Sequence, residues 1–316
     1  KPAGPFDYLG YGLMCTFVFC LMTGIANGQR DGWGSDKNLT LFVVMLATGA
    51  GFVLSQMREE SNLLDLNLFR NSRFVTAVSI SFLFGFGSFA TVYIFPVFAQ
   101  IVQGYTPTVA GSLLLPGSLI AAFVLPLTGR LADHFPPHIV ITAGMVIFAF
   151  SVVLMADADV DTVFWTIAFY LLIGRVGVAM VTPAVNSAAL KALPPAQLDQ
   201  GAGTVNLSLM LGGSIGINAL VVVLERRIQF HGEAFASTQT SANTATREML
   251  EAVRRVLGEE GIPNALHEPV ALNYLGEVVY AQANTLGFQD GFIAIAIMSL
   301  FAMVPALMLA RKHRRT

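Results

Sequence analysis

Long apolar runs separated by short polar islands dominate this chain. No charged residue occurs from Phe74 through Gly129, and none from Ile139 through Ala156. Between those runs sits one polar island, Gly129-Arg130-Leu131-Ala132-Asp133-His134-Phe135-Pro136-Pro137-His138. A water-soluble domain has no use for such a pattern, whereas a chain that turns at a membrane face does. A spanning helix needs about 20 mostly apolar residues. On that measure the pattern predicts spans at Phe6–Ala26, Leu39–Met57, Phe74–Phe98, Thr108–Thr128, Ile139–Ala156, Thr162–Leu190, Val205–Leu224 and Gly291–Ala310. The expected fold is an all-α integral membrane protein with eight transmembrane helices. Gln100, Gln103, Gly104, Tyr105, Thr106 and Pro107 mark a hairpin that splits the third run from the fourth. Internal Gly and Pro, such as Gly85, Pro96, Pro126, Pro183 and Pro305, are tolerated in a membrane bundle because neighbouring helices help satisfy the freed backbone groups.

Lys and Arg in the connections orient the spans. With an even number of crossings both ends lie on one side. That side receives Lys1, Arg58, Arg70, Arg73, Arg130, Lys191 and the tail Arg311, Lys312, Arg314 and Arg315, so both termini are expected in the cytoplasm. The opposite short connections hold Arg30 and Lys37, then nothing, then Asp157, Asp159 and Asp161. Glu225–Thr285 is too polar to span and too long for a simple turn. Within it Met249, Leu250, Val253, Val256 and Leu257 fall at helical spacing, with Glu251 and Arg255 four apart and Gly258 as a stop. The expectation is a small amphipathic cap lying on the outer face, with a partner-docking surface as the alternative.

Composition agrees with this class. Of 316 residues, 54% are hydrophobic and 12% charged, about half the charged fraction of a soluble domain. A formal net charge of −2, with no basic face carrying interleaved aromatics, argues against nucleic-acid binding. Cys15 and Cys20 sit five apart in one apolar run and are too sparse for a metal site. Pro136 and Pro137 break the helix that would align His134 with His138. No catalytic or nucleotide-binding motif occurs, so neither an enzyme nor a bound metal or cofactor is expected. The first residue is Lys1 and no signal peptide precedes the first span, so the chain is expected to begin in mid-protein.

What remains is polarity within the spans. Arg175 is the one charged residue well inside an apolar run. A charge at that depth faces a bundle interior, pairs, or snorkels; the run places it closer to the cytoplasmic end. The seventh span carries Asn206, Ser208, Ser214 and Asn218 among Gly212, Gly213 and Gly216. Those glycines allow a neighbouring helix to pack closely. The asparagines can bond across helices or line an aqueous cavity. Ser88, Thr91 and Tyr93 lie near the outer half of the third span, and no Asp or Glu is embedded in any span.

The Gly129–His138 island resembles the loop signature of the major facilitator superfamily, Gly-x-Leu-Ala-Asp followed by basic residues. Gly129, Leu131, Ala132 and Asp133 match, while His134, Pro136, Pro137 and His138 depart, as in a second-half copy. Further strings are similar to the EmrB/QacA-type fourteen-helix drug:proton antiporters: Phe6-Asp7-Tyr8-Leu9-Gly10, Asp31-Gly32-Trp33-Gly34, Leu64–Asn71, Gly104-Tyr105-Thr106-Pro107, Leu193-Pro194-Pro195 and Leu211–Gly216. Ser208-Leu209-Met210 stands where relatives often carry Arg. The resemblance covers helices seven to fourteen. It implies an inserted helix pair at 1–57, a cytoplasmic linker at 58–73, and a C-terminal six-helix bundle at 74–316 with an extracytoplasmic loop at 225–285. Spans three, four, six and seven would face a central cavity, and five and eight lipid.

The implied function is the C-terminal part of a proton-driven multidrug or metabolite exporter in a bacterial inner membrane, working by alternating access. Gly129, Arg130 and Asp133 would brace the cytoplasmic gate: the glycine would let two helix ends approach, and the Asp would sit against a helix N-terminus or an Arg. Ser88, Thr91, Tyr93, Arg175, Asn206 and Met210 would line the cavity. The partners implied are a small amphipathic or lipophilic substrate, protons, membrane lipid, an N-terminal six-helix bundle that supplies the coupling carboxylates and, as in some relatives, a periplasmic adaptor. The alternative is a transport-incompetent membrane scaffold or accessory subunit.

Overall fold

The computed structural model describes residues 7–58 and 66–313, with the side chains at 29, 30, 58, 66, 132, 133 and 309–313 outside the description. The described residues are helical throughout, and eight stretches are long and apolar enough to cross a membrane. They are α1 (Tyr8–Asp31), α2 (Asp36–Arg58), α3 (Ser72–Ile101), the short α4 (Pro107–Ser112) continued by α5 (Leu114–His134), α6 (Pro137–Met155), α7 (Phe164–Leu190), α8 (Leu198–Thr238) and α10 (Asn264–His313), with α9 (Thr244–Glu259) between the last two. The eight spans predicted from hydropathy all fall on these helices.

Helix ends follow local chemistry. Asp7 Oδ1 accepts the Gly10 amide at 2.6 Å to cap α1, and Oδ2 accepts from Gln56 Nε2 at 2.7 Å, tying α1 to α2. Asn71 caps α3 through the amides of Arg73 and Phe74 and donates from Nδ2 to the Ala192 carbonyl at 2.6 Å. At the opposite end Gln103 Nε2 donates to the carbonyls of Asp159 and Thr162, holding the α3–α4 and α6–α7 turns together. Capping residues satisfy amides that the first helical turn leaves without partners.

At the centre lies α3, with Phe74, Ile80, Ile94 and Phe98 fully buried. It meets α8 almost backbone to backbone: a Cβ at Gly85 would strike the Leu209 carbonyl, and one at Gly212 or Gly216 the carbonyls of Phe82 and Phe86. Ser208 Oγ then bonds to the Val78 carbonyl at 3.1 Å. On its other side α3 meets α10 through edge-on ring contacts of Phe98 with Phe288 and Phe292. The α6–α7 pair repeats the glycine device, with Gly144 against the Gly177 carbonyl. Association in lipid relies on such close packing, since tails solvate apolar side chains as well as a neighbouring helix does. The outer surfaces are correspondingly apolar. Ile293, Ile297, Leu300, Phe301, Val304, Leu307 and Met308 form one exposed stripe on α10.

The polar segment is built differently from the flat cap expected. α8 has 41 residues and α10 has 50, roughly 60 and 75 Å at 1.5 Å per residue, far more than a bilayer core of about 30 Å. Both helices continue past their apolar parts, and α9, packed against α10, connects them in a helical extension. Asn243 caps α9 through the amides of Ala245 and Thr246. Arg254 pairs with Glu268 of α10, and Thr246 Oγ1 donates to Gln239 Oε1 at 2.6 Å. Gly258 does not stop the helix. Gly261 does, at φ +74°, where the Ile262 amide closes onto the Leu257 carbonyl at 3.0 Å.

The polar island is likewise more helical than a loop. Gly129, Arg130 and Asp133 lie inside the last turns of α5, and only Phe135 and Pro136 separate it from α6.

Candidate functional site

A recess opens between α3, α6 and α7, polar on a mostly apolar wall. From α3 it receives Ser88, Thr91 and Phe95; from α6, Phe148 and Ser151; from α7, Leu171 and Arg175. Small residues make the room. Gly174 lets Ser151 approach, and Ser151 Oγ crosses to the Tyr170 carbonyl at 2.6 Å. The recess holds about 280 Å³ of empty space including its open part, with about 20 Å³ for the centres of water-sized molecules. That accommodates about one ordered water, against roughly 300–1,000 Å³ for a drug-sized site. The recess is a polar niche, too small to enclose a whole drug.

Arg175 is half-buried, and its stem runs along α5, where a Cβ at Gly117 would come within 2.8 Å of Arg175 Cγ. It lies nearer Phe164 than Leu190 along α7, in the half opposite to the one expected from the sequence. A snorkelling path to the Lys191 end is therefore the longer of the two. Among the described residues Arg175 has no hydrogen-bond or ion-pair partner. A centrally placed Arg costs about 2.5–3.5 kcal/mol even on permissive insertion scales, so its position in the recess is an expense to the fold.

The remaining cavity residues scatter. Tyr93, two positions after Thr91 on α3, packs on the buried core instead. Asn206 and Met210 are exposed, four apart on one stripe of α8. The structure separates the two asparagines of that helix: Asn218 Nδ2 lies 3.7 Å from Met22 Sδ of α1 and bonds to the Ser214 carbonyl at 2.8 Å, whereas Asn206 faces outward. The fifth span, expected to face lipid, has two unlike faces. α6 turns Phe148 and Ser151 into the recess while Val146, Phe150 and Val153 stay exposed. Sequence reasoning passed over Ser151, although it and Thr142 are the two hydroxyls of the charge-free run 139–156.

At the Arg130 end, Arg130 is exposed and its carbonyl lies 2.9 Å from His134 Nδ1. No atom lies within 4 Å of where a Gly129 Cβ would stand, so the close helix approach expected of that glycine is not made among the described residues. The Asp133 side chain lies outside the described residues. A second polar cluster, unforeseen from sequence, ties α8 to α10 at the base of the extension: Asp290 Oδ2 accepts from Arg227 Nε and His231 Nε2, both at 2.6 Å. No group of three or more His, Cys, Asp or Glu among the described residues could hold a metal ion.

Eight apolar helices, three of which line a small polar recess, define a multi-pass membrane protein. The chain belongs to the major facilitator superfamily, whose family model matches residues 39–217. It is 22% identical over 307 residues to YhcA, an uncharacterized MFS-type transporter of Bacillus subtilis, covering 96% of this chain and 57% of that protein. It is 25% identical over 315 residues to the fatty acid resistance protein FarB of Neisseria gonorrhoeae, covering 97% and 59%. Over 222 residues it is 30% identical to a tetracycline resistance determinant of Streptomyces rimosus, covering 69% and 63%. The chain thus spans somewhat under two thirds of the length of these relatives.

Proposed function

We propose that this chain is the C-terminal portion, helices seven to fourteen, of an EmrB/QacA-type exporter that moves small amphipathic or lipophilic molecules out of a bacterial cell in exchange for protons. The observation that carries the reading is the family match over residues 39–217, together with relatives named for resistance to fatty acids and to tetracycline. In this reading residues 1–57 are an inserted helix pair, 58–73 a cytoplasmic linker and 74–316 one of two rocking bundles, with both termini in the cytoplasm of an inner-membrane protein. An N-terminal six-helix bundle completes the site and supplies the titrating carboxylates, because no Asp or Glu lies in the apolar spans of this chain apart from Asp7 at the edge of the first. Ser88, Thr91 and Arg175 form this bundle's share of the pocket. Asn206, Met210 and Tyr93 enlarge it when the second bundle closes over α8 and α3. Asp133, with Gly129 and Arg130, braces the gate at the cytoplasmic end.

The test is efflux from proteoliposomes containing the intact protein, with and without an imposed pH gradient. Gradient-dependent efflux of a lipophilic dye, reduced about tenfold or more by Asp133→Asn, is the expected outcome. Efflux indifferent to the gradient removes the proton coupling, and an Asp133→Asn protein that transports and switches normally removes the gate assignment.

A further inference from the structure

Resting on the export reading above, we propose that the recess between α3, α6 and α7 is an anion subsite, built to hold a carboxylate or sulfonate head on Arg175 while an aryl or alkyl body lies against Val92 and Val178 at its mouth. The argument begins with what cannot neutralise this arginine. The elements around it supply no acid: residues 74–129 and 139–156, which include the spanning parts of α3, α5 and α6, carry no charged residue. Within α7 itself Arg175 is the sole charge. Its guanidinium is therefore a fixed cation with no counter-charge in reach among the described residues.

The hydroxyls beside it do not stand in for one. Thr91 Oγ1 donates to the Gly87 carbonyl at 2.5 Å, Ser88 Oγ to the Gly85 carbonyl at 3.4 Å and Ser151 Oγ to the Tyr170 carbonyl at 2.6 Å. With those protons spent on backbone, the recess offers one strong donor group, a planar fork that matches the two oxygens of a carboxylate. A cationic head would meet like charge. A neutral polar head would leave the guanidinium uncompensated. Position supports the same role, because Gly117 of α5 gives way to the arginine stem at Cγ and so holds the head group at the recess. The enclosed part of the recess takes only about one water, so the head group sits at its mouth on the half-buried Arg175, and the rest of an amphiphile lies on the exposed apolar wall.

The experiment uses the intact protein in nanodiscs and three ligands with one aromatic body: naphthalene-1-acetate, 1-naphthaleneethanol and 1-naphthylmethylammonium. Binding is measured by equilibrium dialysis, with empty nanodiscs subtracted. Naphthalene-1-acetate should bind most tightly. Arg175→Gln should weaken it about 10- to 100-fold, the range of a charged hydrogen-bonded contact, while leaving the alcohol unchanged. Arg175→Lys should keep the order of preference with a smaller margin, and Gly117→Ala should shrink that margin with the charge intact. An unchanged acetate-to-alcohol ratio in Arg175→Gln overturns the subsite, as does equal loss of all three ligands, which marks the arginine as structural. Binding without charge preference in a protein that still exports dye overturns the subsite alone. Failure of the wild type to bind any of the three, with no export, overturns the export reading as well.

Discussion

Single residues set how closely these helices approach. A side chain at Gly212 would occupy the place of the Phe82 carbonyl, and neither backbone can yield without parting α8 from α3. Overpacking of this kind costs about 1–3 kcal/mol. Gly212→Val should therefore lower the thermal midpoint of the detergent-solubilised protein by several degrees, whereas Gly276→Val, with nothing within 4 Å, should leave it within error. Equal midpoints would show that the two helices do not cross at this glycine. Such positions were partly legible in the sequence. Gly212, Gly213 and Gly216 announce a close contact by their spacing, but nothing in one chain's letters says which helix fills it. Asn206 and Asn218 were inseparable for the same reason, since their roles depend on what stands opposite. Arg175 was recognisable as costly, and the expected span Thr162–Leu190 already set it slightly nearer Thr162, as α7 does.

Elements were legible where chemistry is one-sided. Runs without charge became spans because a bilayer leaves few other options for a backbone. The Glu225–Thr285 stretch was harder, because hydropathy reports whether a segment can enter lipid and says nothing of whether its helix continues into water. α8 and α10 do continue, locked at the base by one carboxylate oxygen that accepts from both Arg227 and His231. The side chains of this cluster are partly exposed, Arg227 at 43%, so the lock contributes about 1 kcal/mol. Asp290→Ala should speed amide exchange roughly fivefold in 225–238 and 264–289 while the apolar parts of α3 and α6 keep their protection. Uniformly faster exchange would instead make Asp290 part of the bundle's global stability. The end of α9 shows the limit of periodicity. An amphipathic pattern fading at Gly258 hid the fact that Gly261, at φ +74°, is the residue that can turn the chain.

On the scale of the whole molecule, the arrangement follows from crossings that alternate. Each end of the bundle collects its own turns: Asn71 with Ala192 at one, Gln103 with Asp159 and Thr162 at the other. The first of these ends carries Arg130 and Lys191, and the second carries the acidic turn and the helical extension. On the proposed export reading a two-sided carrier requires that division, because a substrate site in the bundle serves transport only if it can open to two different compartments. The most direct measurement is cysteine labelling of the intact protein in sealed vesicles of known orientation, with Cys15 and Cys20 replaced by Ser. Asp159→Cys and Gly276→Cys should react with a membrane-impermeant maleimide from one face, and Lys191→Cys from the opposite face only. Labelling of Asp159→Cys and Lys191→Cys from the same face would contradict the alternation and, with it, the carrier built on it.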